Sequence, residues 1–270
     1  MGSVVIAERT IQYHAVDGPA ARGGQRVLYV HGTGCNSEVW IPHMKAIAGA
    51  HASVAIDLPG HGGSPGRGFR GVADYAYFVV ELARTLGWDR FVMAGHSMGG
   101  AIALLSALHH PEVLDGLVLV DTGARLRVNP ALLRGAREAA TAALTPATDR
   151  SWAYAAATPQ SVVDAVQSLT AATDPWVTYG DWIADDTFDV MSRLKDIRVP
   201  TLIVCGAEDR LTPVKYHELL AAQISGSRLT IIEEAGHWVF WEQPETFTQT
   251  VRAFLDSLPP SSARAEPSKP

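Results

Sequence analysis

Phe91-Val92-Met93-Ala94-Gly95-His96-Ser97-Met98-Gly99-Gly100-Ala101-Ile102-Ala103-Leu104-Leu105-Ser106-Ala107-Leu108 decides how the rest of the chain is read. The apolar run at its start predicts a short buried strand, residues 95–100 a sharp glycine-rich turn, and the small and aliphatic residues beyond it a helix. The turn contains G-x-S-x-G. Glycines beside a serine let the backbone close tightly around it, so Ser97 is expected to stand at the carboxyl edge of a sheet. The helix behind it aims unpaired N–H groups and partial positive charge at the serine, which suits an anionic intermediate.

With 270 residues the chain is long enough for one large α/β domain. A formal net charge of -6 gives no electrostatic reason to expect nucleic acid or an anionic membrane as partner. The amino terminus lacks the pattern of a secretory signal, and no apolar run reaches the roughly 18 residues needed to cross a bilayer. A cytoplasmic location is therefore expected, and with it thiols rather than a disulfide for the two cysteines, Cys35 and Cys205. Cys35 lies in a glycine-rich loop and is a candidate to line a pocket.

Working outward, short strands are expected at Val4 to Ala7, Arg9 to Tyr13, Val27 to Val30 and Ser53 to Ile56, with helical spacing from Trp40 to Ala48. Asp17 opens a loop. Between Val72 and Leu86 the apolar positions trace one helical face, and Gly87 is a natural stop. After the central stretch come a strand at Gly116 to Val120, another at Thr201 to Cys205, a helix from about Val214 to Ile224, a strand at Arg228 to Ile232 and a helix from Pro244 to about Leu258. Strands alternating with helices at this rhythm predict right-handed crossovers and a mainly parallel sheet. The rhythm breaks at residues 123–195, rich in alanine and aromatics and punctuated by prolines; this reads as a helical cap. The organisation expected is a core at 1–122 and 196–258, a cap at 123–195, and a disordered tail at 259–270.

A serine hydroxyl attacks well only when a base takes its proton, and the base needs a third group to fix its tautomer. Where a serine sits in such a strand-to-helix turn, the chain order is serine, acid, histidine. Downstream of the cap this leaves His217 and His237. His217 falls within an expected helix and reads as a solvated surface residue. His237 follows a strand in Glu233-Glu234-Ala235-Gly236-His237-Trp238 and is taken as the base. Asp209, just past the strand ending at Cys205, is taken as the acid, with Asp121 as its competitor; if structural, Asp121 should accept backbone N–H groups. Oxyanion donors are expected from the N–H of Met98 and from the loop His31-Gly32-Thr33-Gly34, with Thr33 first and Gly34 second. Gly32, Gly34, His96, Trp152, Trp176, Trp182 and Trp238 are the candidate substrate-binding residues.

Taken in order, His31-Gly32, Asp57-Leu58-Pro59-Gly60-His61-Gly62-Gly63-Ser64, Gly95-His96-Ser97-Met98-Gly99-Gly100, Gly206-Ala207-Glu208-Asp209 and Gly236-His237 resemble the α/β-hydrolase superfamily. The resemblance implies an α/β-hydrolase fold, an eight-stranded, mostly parallel sheet flanked by helices, with the cap inserted after the sixth strand. Gly236-His237-Trp238-Val239-Phe240-Trp241-Glu242 is similar to the meta-cleavage product hydrolases, which split carbon–carbon bonds. Those enzymes carry Gly-Pro-Gly after the His-Gly loop and Asn before the serine, where this chain has Cys35-Asn36 and His96. Loop and elbow are closer to carboxylesterases and enol-lactonases. The reading adopted is a serine hydrolase of small to medium, largely apolar carboxylic esters, acting through an acyl-enzyme. Carbon–carbon hydrolase or enol-lactonase is the alternative, and a hydrolase-fold receptor with little turnover the rival of another class.

No cofactor or metal is expected. Gly32-Thr33-Gly34-Cys35-Asn36-Ser37 lacks the third glycine of a dinucleotide fingerprint, and no H-E-x-x-H or comparable ligand set occurs. Ser97 also separates the chain from relatives that attack with an aspartate. A small-molecule ester is the expected partner; oligomeric state is left open.

Overall fold

The structure, a computed structural model, describes residues 1–16, 24–142 and 151–260. Most of the loop opened by Asp17 and nearly all of the expected tail lie outside the described residues. In chain order the elements are β1 (Gly2–Ile6), β2 (Arg9–Val16), β3 (Arg26–Val30), α1 (Ile41–Ile47), β4 (Ala52–Ile56), α2 (Val72–Thr85), β5 (Phe91–His96), α3 (Met98–His109) and β6 (Leu114–Val120). Then follow α4 (Pro130–Ala142), α5 (Gln160–Thr170), α6 (Pro175–Thr187), β7 (Thr201–Gly206), α7 (Val214–Gln223), β8 (Arg228–Ile232), α8 (Val239–Glu242) and α9 (Pro244–Ser257). The eight strands form one sheet in the order β1-β2-β4-β3-β5-β6-β7-β8. β2 runs antiparallel to both its neighbours and every other pairing is parallel.

The central strands read as continuous apolar runs because helices cover both their faces. On β3, Leu28 and Val30 enter one core layer while Val27 and Tyr29 enter the other. On β5, Phe91 and Met93 divide from Val92 and Ala94 in the same way. This is the two-residue alternation of a pleated strand. One layer packs beneath α2 and α3 and the other beneath α1 and α9, so helices cover both faces of the sheet. Helices α4, α5 and α6 form an insertion between β6 and β7.

Several histidines tie these layers together. His43 reaches Tyr29 Oη through Nε2 at 3.1 Å and Thr248 Oγ1 through Nδ1 at 2.9 Å. His217 was expected at the surface and is instead fully enclosed, where its Nε2 accepts the Thr122 N–H at 2.9 Å. The turn beyond β6 needs an acceptor there, and α7 supplies the ring from its inner face.

Burial pushes His31 and His43 each down to about 3, aided in His31 by the charge of His61, and pushes His217 down to about 4, from an ordinary value of 6.5. These rings fold neutral, whereas in the unfolded chain they take up protons once the pH drops below 6.5. The stability they contribute is complete above that pH and is lost as the pH falls toward about 4 for His217 and about 3 for His31 and His43, at about 1.4 kcal/mol per pH unit for each ring. A urea midpoint falling steeply between pH 6.5 and 4.5 is the expected result; a flat midpoint over that window would show that the rings do not fold neutral.

Candidate active site

Ser97 occupies the single residue between β5 and α3, with φ 54° and ψ -118°. That backbone is disfavoured for a residue with a side chain and costs on the order of 1–3 kcal/mol. Its neighbours make it attainable. A Cβ on Gly95 would lie 2.0 Å from the Gly99 carbonyl oxygen, so strand and helix can meet this closely only without a side chain there. The strand runs two residues further than its apolar run predicts, taking in Gly95 and His96.

His237 follows β8, and its Nδ1 donates to Asp209 Oδ2 at 2.9 Å. Asp209 is buried, and its other bonds explain how it remains charged: Oδ1 accepts the N–H groups of Leu211 at 2.8 Å and Thr212 at 2.9 Å, and Oδ2 accepts the Thr212 hydroxyl at 2.6 Å. Burial alone would raise its pKa; the His237 ring and the Thr212 bonds outweigh it and hold the carboxyl down to about 2. With Nδ1 donating, the lone pair of His237 is left on Nε2.

Ser97 and His237 line one cavity of about 110 Å³, together with Thr33, Cys35, His96, Leu132, Trp152, Trp182 and Trp238 among others. An adjoining cavity of about 520 Å³ shares Ser97, Leu132, Trp152 and Trp182, and adds Arg127, Asn129, Arg210 and Tyr216. Helix α4 and Trp152 of the insertion therefore face the serine directly. No disulfide joins Cys35 and Cys205.

Trp176 is not brought to either cavity. It is 49% exposed and lines a separate hollow with Arg67 and Arg70. Both it and Trp182 sit on α6, and six residues turn a helix by about 240°, so the two indoles leave it about 120° apart, on different faces.

Gly32 rests directly against the serine, where a Cβ would come within 3.0 Å of Ser97 Cβ and of His96 Nδ1. The N–H of Gly34 donates to Asp181 Oδ2 at 2.9 Å. Among the described residues no acceptor meets the N–H of Thr33 or of Met98, the first residue of α3. His96 is buried and donates through Nε2 to the carbonyl of His237 at 2.8 Å, while its ring lies 4.6 Å from that of Trp238. Its hydrogen is thus spent on the loop of His237. Burial, with His237 next, lowers its pKa well below the ordinary value.

Asp121 turns out to be an anchor for two segments. Oδ1 accepts the Gly206 N–H at 3.0 Å and Oδ2 the Val239 N–H at 3.2 Å, fastening the end of β7 to the start of α8. Burial, with the Asp209 charge behind it, raises its pKa well above the usual range.

Other residues around the site are not among the candidates drawn from the sequence. Glu242 Oε1 accepts the N–H groups of both Gly236 and Trp238 at 3.0 Å, and Oε2 accepts that of Ala155 at 2.8 Å, so one carboxylate holds both sides of His237 and the insertion as well. The four-residue step from Trp238 to Glu242, one turn of α8, is the signal that marks it in retrospect. Asp181 and Asp185 are similarly one turn apart on α6.

A profile of the alpha/beta hydrolase family matches residues 27–250. The chain belongs to that family. As an alpha/beta hydrolase it superposes on the enol-lactonase of Burkholderia xenovorans with a TM-score of 0.87 at 22% identity, over 95% of this chain and 100% of that one. A thermophilic esterase gives a TM-score of 0.78 at 32% identity, covering 94% of this chain and 96% of the other. In sequence it is 27% identical to a pimeloyl-[acyl-carrier protein] methyl ester esterase of Neisseria meningitidis serogroup A, over 87% of this chain and 78% of that protein. The alpha/beta hydrolase frame explains why residues far apart in number gather here: each follows a strand whose carboxyl end faces the same rim. Among the described residues no helix is long and apolar enough to cross a membrane.

Proposed function

We propose that the protein hydrolyses carboxylic esters through an acyl-enzyme on Ser97. The observation that carries this is His237, bonded to Asp209, lining one cavity with a serine on a strained strand-to-helix turn. In this reading His237 Nε2 takes the Ser97 proton as the hydroxyl attacks the ester carbonyl. The N–H groups of Thr33 and Met98 receive the negative oxygen, and His237 returns the proton to the leaving alcohol. Water then attacks the acyl-enzyme with the same base assisting, and Asp209 steadies the imidazolium formed in each half.

Relatives whose names specify methyl ester, esterase and enol-lactonase chemistry support an ester or lactone bond as the target. Residues 123–195 act as the cap. Leu132, Trp152, Trp182 and Trp238 make the smaller chamber suited to an apolar acyl or alcohol group, while Arg127, Asn129, Arg210 and Tyr216 suit a polar far end in the larger one. Trp176 has no place in this binding scheme.

A panel of p-nitrophenyl esters of increasing acyl length, set beside methyl half-esters of dicarboxylic acids, tests the reading. The expected result is a burst of p-nitrophenol equal to the enzyme, then steady turnover fastest for short to medium acyl chains. Absence of any burst or turnover across the panel, with the protein folded, would overturn it. Rapid cleavage of a dienoic ketone in place of the esters would move the protein to carbon–carbon hydrolysis.

A further inference from the structure

Helix α6 buries a strip of polar residues against the loop after β3. Asp181 and Asp185 are 0% and 2% exposed, and Thr178 lies on the same face, one turn before Asp181. Carboxylates so enclosed are rare unless their oxygens are taken, as both of Asp181 are; Oδ1 of Asp185 meets no partner among the described residues. Asp181 Oδ1 accepts the Tyr75 hydroxyl at 2.7 Å, and Oδ2 accepts both His61 Nε2 at 2.8 Å and the Gly34 N–H at 2.9 Å. The other nitrogen of His61, Nδ1, faces the Pro59 carbonyl at 3.2 Å. Both ring nitrogens meet acceptors, so both carry hydrogen and the ring is a cation paired with Asp181. One turn further along, Asp185 Oδ2 accepts the Thr33 hydroxyl at 2.5 Å.

Thr33 and Gly34 are therefore each tied to α6. Gly34 has φ 65°, and a Cβ there would come within 3.0 Å of the Thr178 side chain, so the loop is seated on the helix with no room between them. The bond to Asp181 also uses the Gly34 N–H, which leaves Thr33 as the donor this loop can offer to substrate.

We propose that Asp181, seconded by Asp185, is a positioning residue for the oxyanion loop, holding residues 33 and 34 so that the Thr33 N–H meets the oxygen of the tetrahedral intermediate. It rests on the reading of Thr33 as an oxyanion donor. The helical insertion then does more than roof the pocket: it completes the catalytic loop through Asp181, which lines neither cavity, while Asp185 also borders the larger one.

The test compares Asp181→Asn, Thr33→Val and Thr33→Ser using a p-nitrophenyl ester and a trifluoromethyl ketone of matching acyl length, whose serine adduct carries the same negative oxygen. Asp181→Asn keeps the shape and removes the charge. It should lower kcat by about 10²-fold, the lower end of the loss for a missing oxyanion donor, with KM changed less than about threefold. Affinity for the ketone should fall by a similar factor. Thr33→Val cuts the tether to Asp185 while keeping the backbone N–H, and should lower kcat about tenfold; Thr33→Ser should restore it. A folded Asp181→Asn with wild-type kcat and ketone affinity would overturn the inference. Should Asp181→Asn fail to fold, the Thr33 pair decides by the same two readouts: equal kcat in Val and Ser overturns it, rescue by Ser supports it. Activity lost in Ser97→Ala but kept in these variants would remove this inference alone; activity kept in Ser97→Ala would remove the reading of the site beneath it.

Discussion

Replacing Ser97 by alanine is expected to lower kcat toward esters by about 10⁶-fold, the scale of loss when an acyl-forming nucleophile is removed. The size of the effect follows from the site. With the hydroxyl gone, His237 has no proton to take, and what remains is a cavity that binds and polarises the ester. The fold should be untouched, because the side chain faces a cavity and alanine meets the same backbone angles that serine already accepts. Circular dichroism and the melting temperature should therefore match the parent while the burst of p-nitrophenol disappears. A variant keeping a tenth of the activity would show that another group attacks.

Asp209→Asn is expected to cost on the order of 10⁴-fold in kcat. Asparagine fills the same space, and its oxygen can still receive the Leu211 and Thr212 N–H groups now bound by Oδ1. Its amide nitrogen then faces His237 Nδ1 and donates to it. That reverses the tautomer, placing the hydrogen on Nε2, where the serine proton has to go. In the parent the carboxyl is held down to about 2, so Asp209 stays charged at every pH at which the folded enzyme would be assayed. The acid limb of the kcat profile should accordingly not belong to Asp209. Asp121→Asn is the companion variant. Its two backbone bonds predict lost stability with kcat nearly kept. If that variant loses 10⁴-fold and Asp209→Asn does not, the acid is Asp121.

Much of this architecture can be read along the chain because its causes are local. The apolar run from Val27 to Val30 and its counterparts show strands covered on both faces, and Pro244 marks the start of α9. The glycines flanking Ser97 announce a turn no bulkier neighbour would permit. Ends are less legible: β5 continues through Gly95 and His96, and β6 begins at Leu114, before its clearly apolar portion. Sheet pairing holds those residues in place where their own propensity is silent.

The failures are of a different kind. His217 looks solvated in the company of Lys215 and Glu218, yet a helix has an inside, and the Thr122 N–H needed an acceptor on it. Trp176 and Trp182 share composition and neighbourhood but not a helix face. Asp181 and Asp185 read as ordinary acidic residues of a cap; their partners His61 and Thr33 stand 120 and 152 residues away in the chain.

By itself the sequence determined the alternation of elements and the sharp turn at Ser97, since each depends on residues within a turn or two of one another. Only the tertiary structure decided which carboxylate holds the imidazole, which indoles face the cavity and what anchors the loop at Thr33. Those are choices between side chains of the same type, and they are made by direction and enclosure, which come into being only when distant segments pack together.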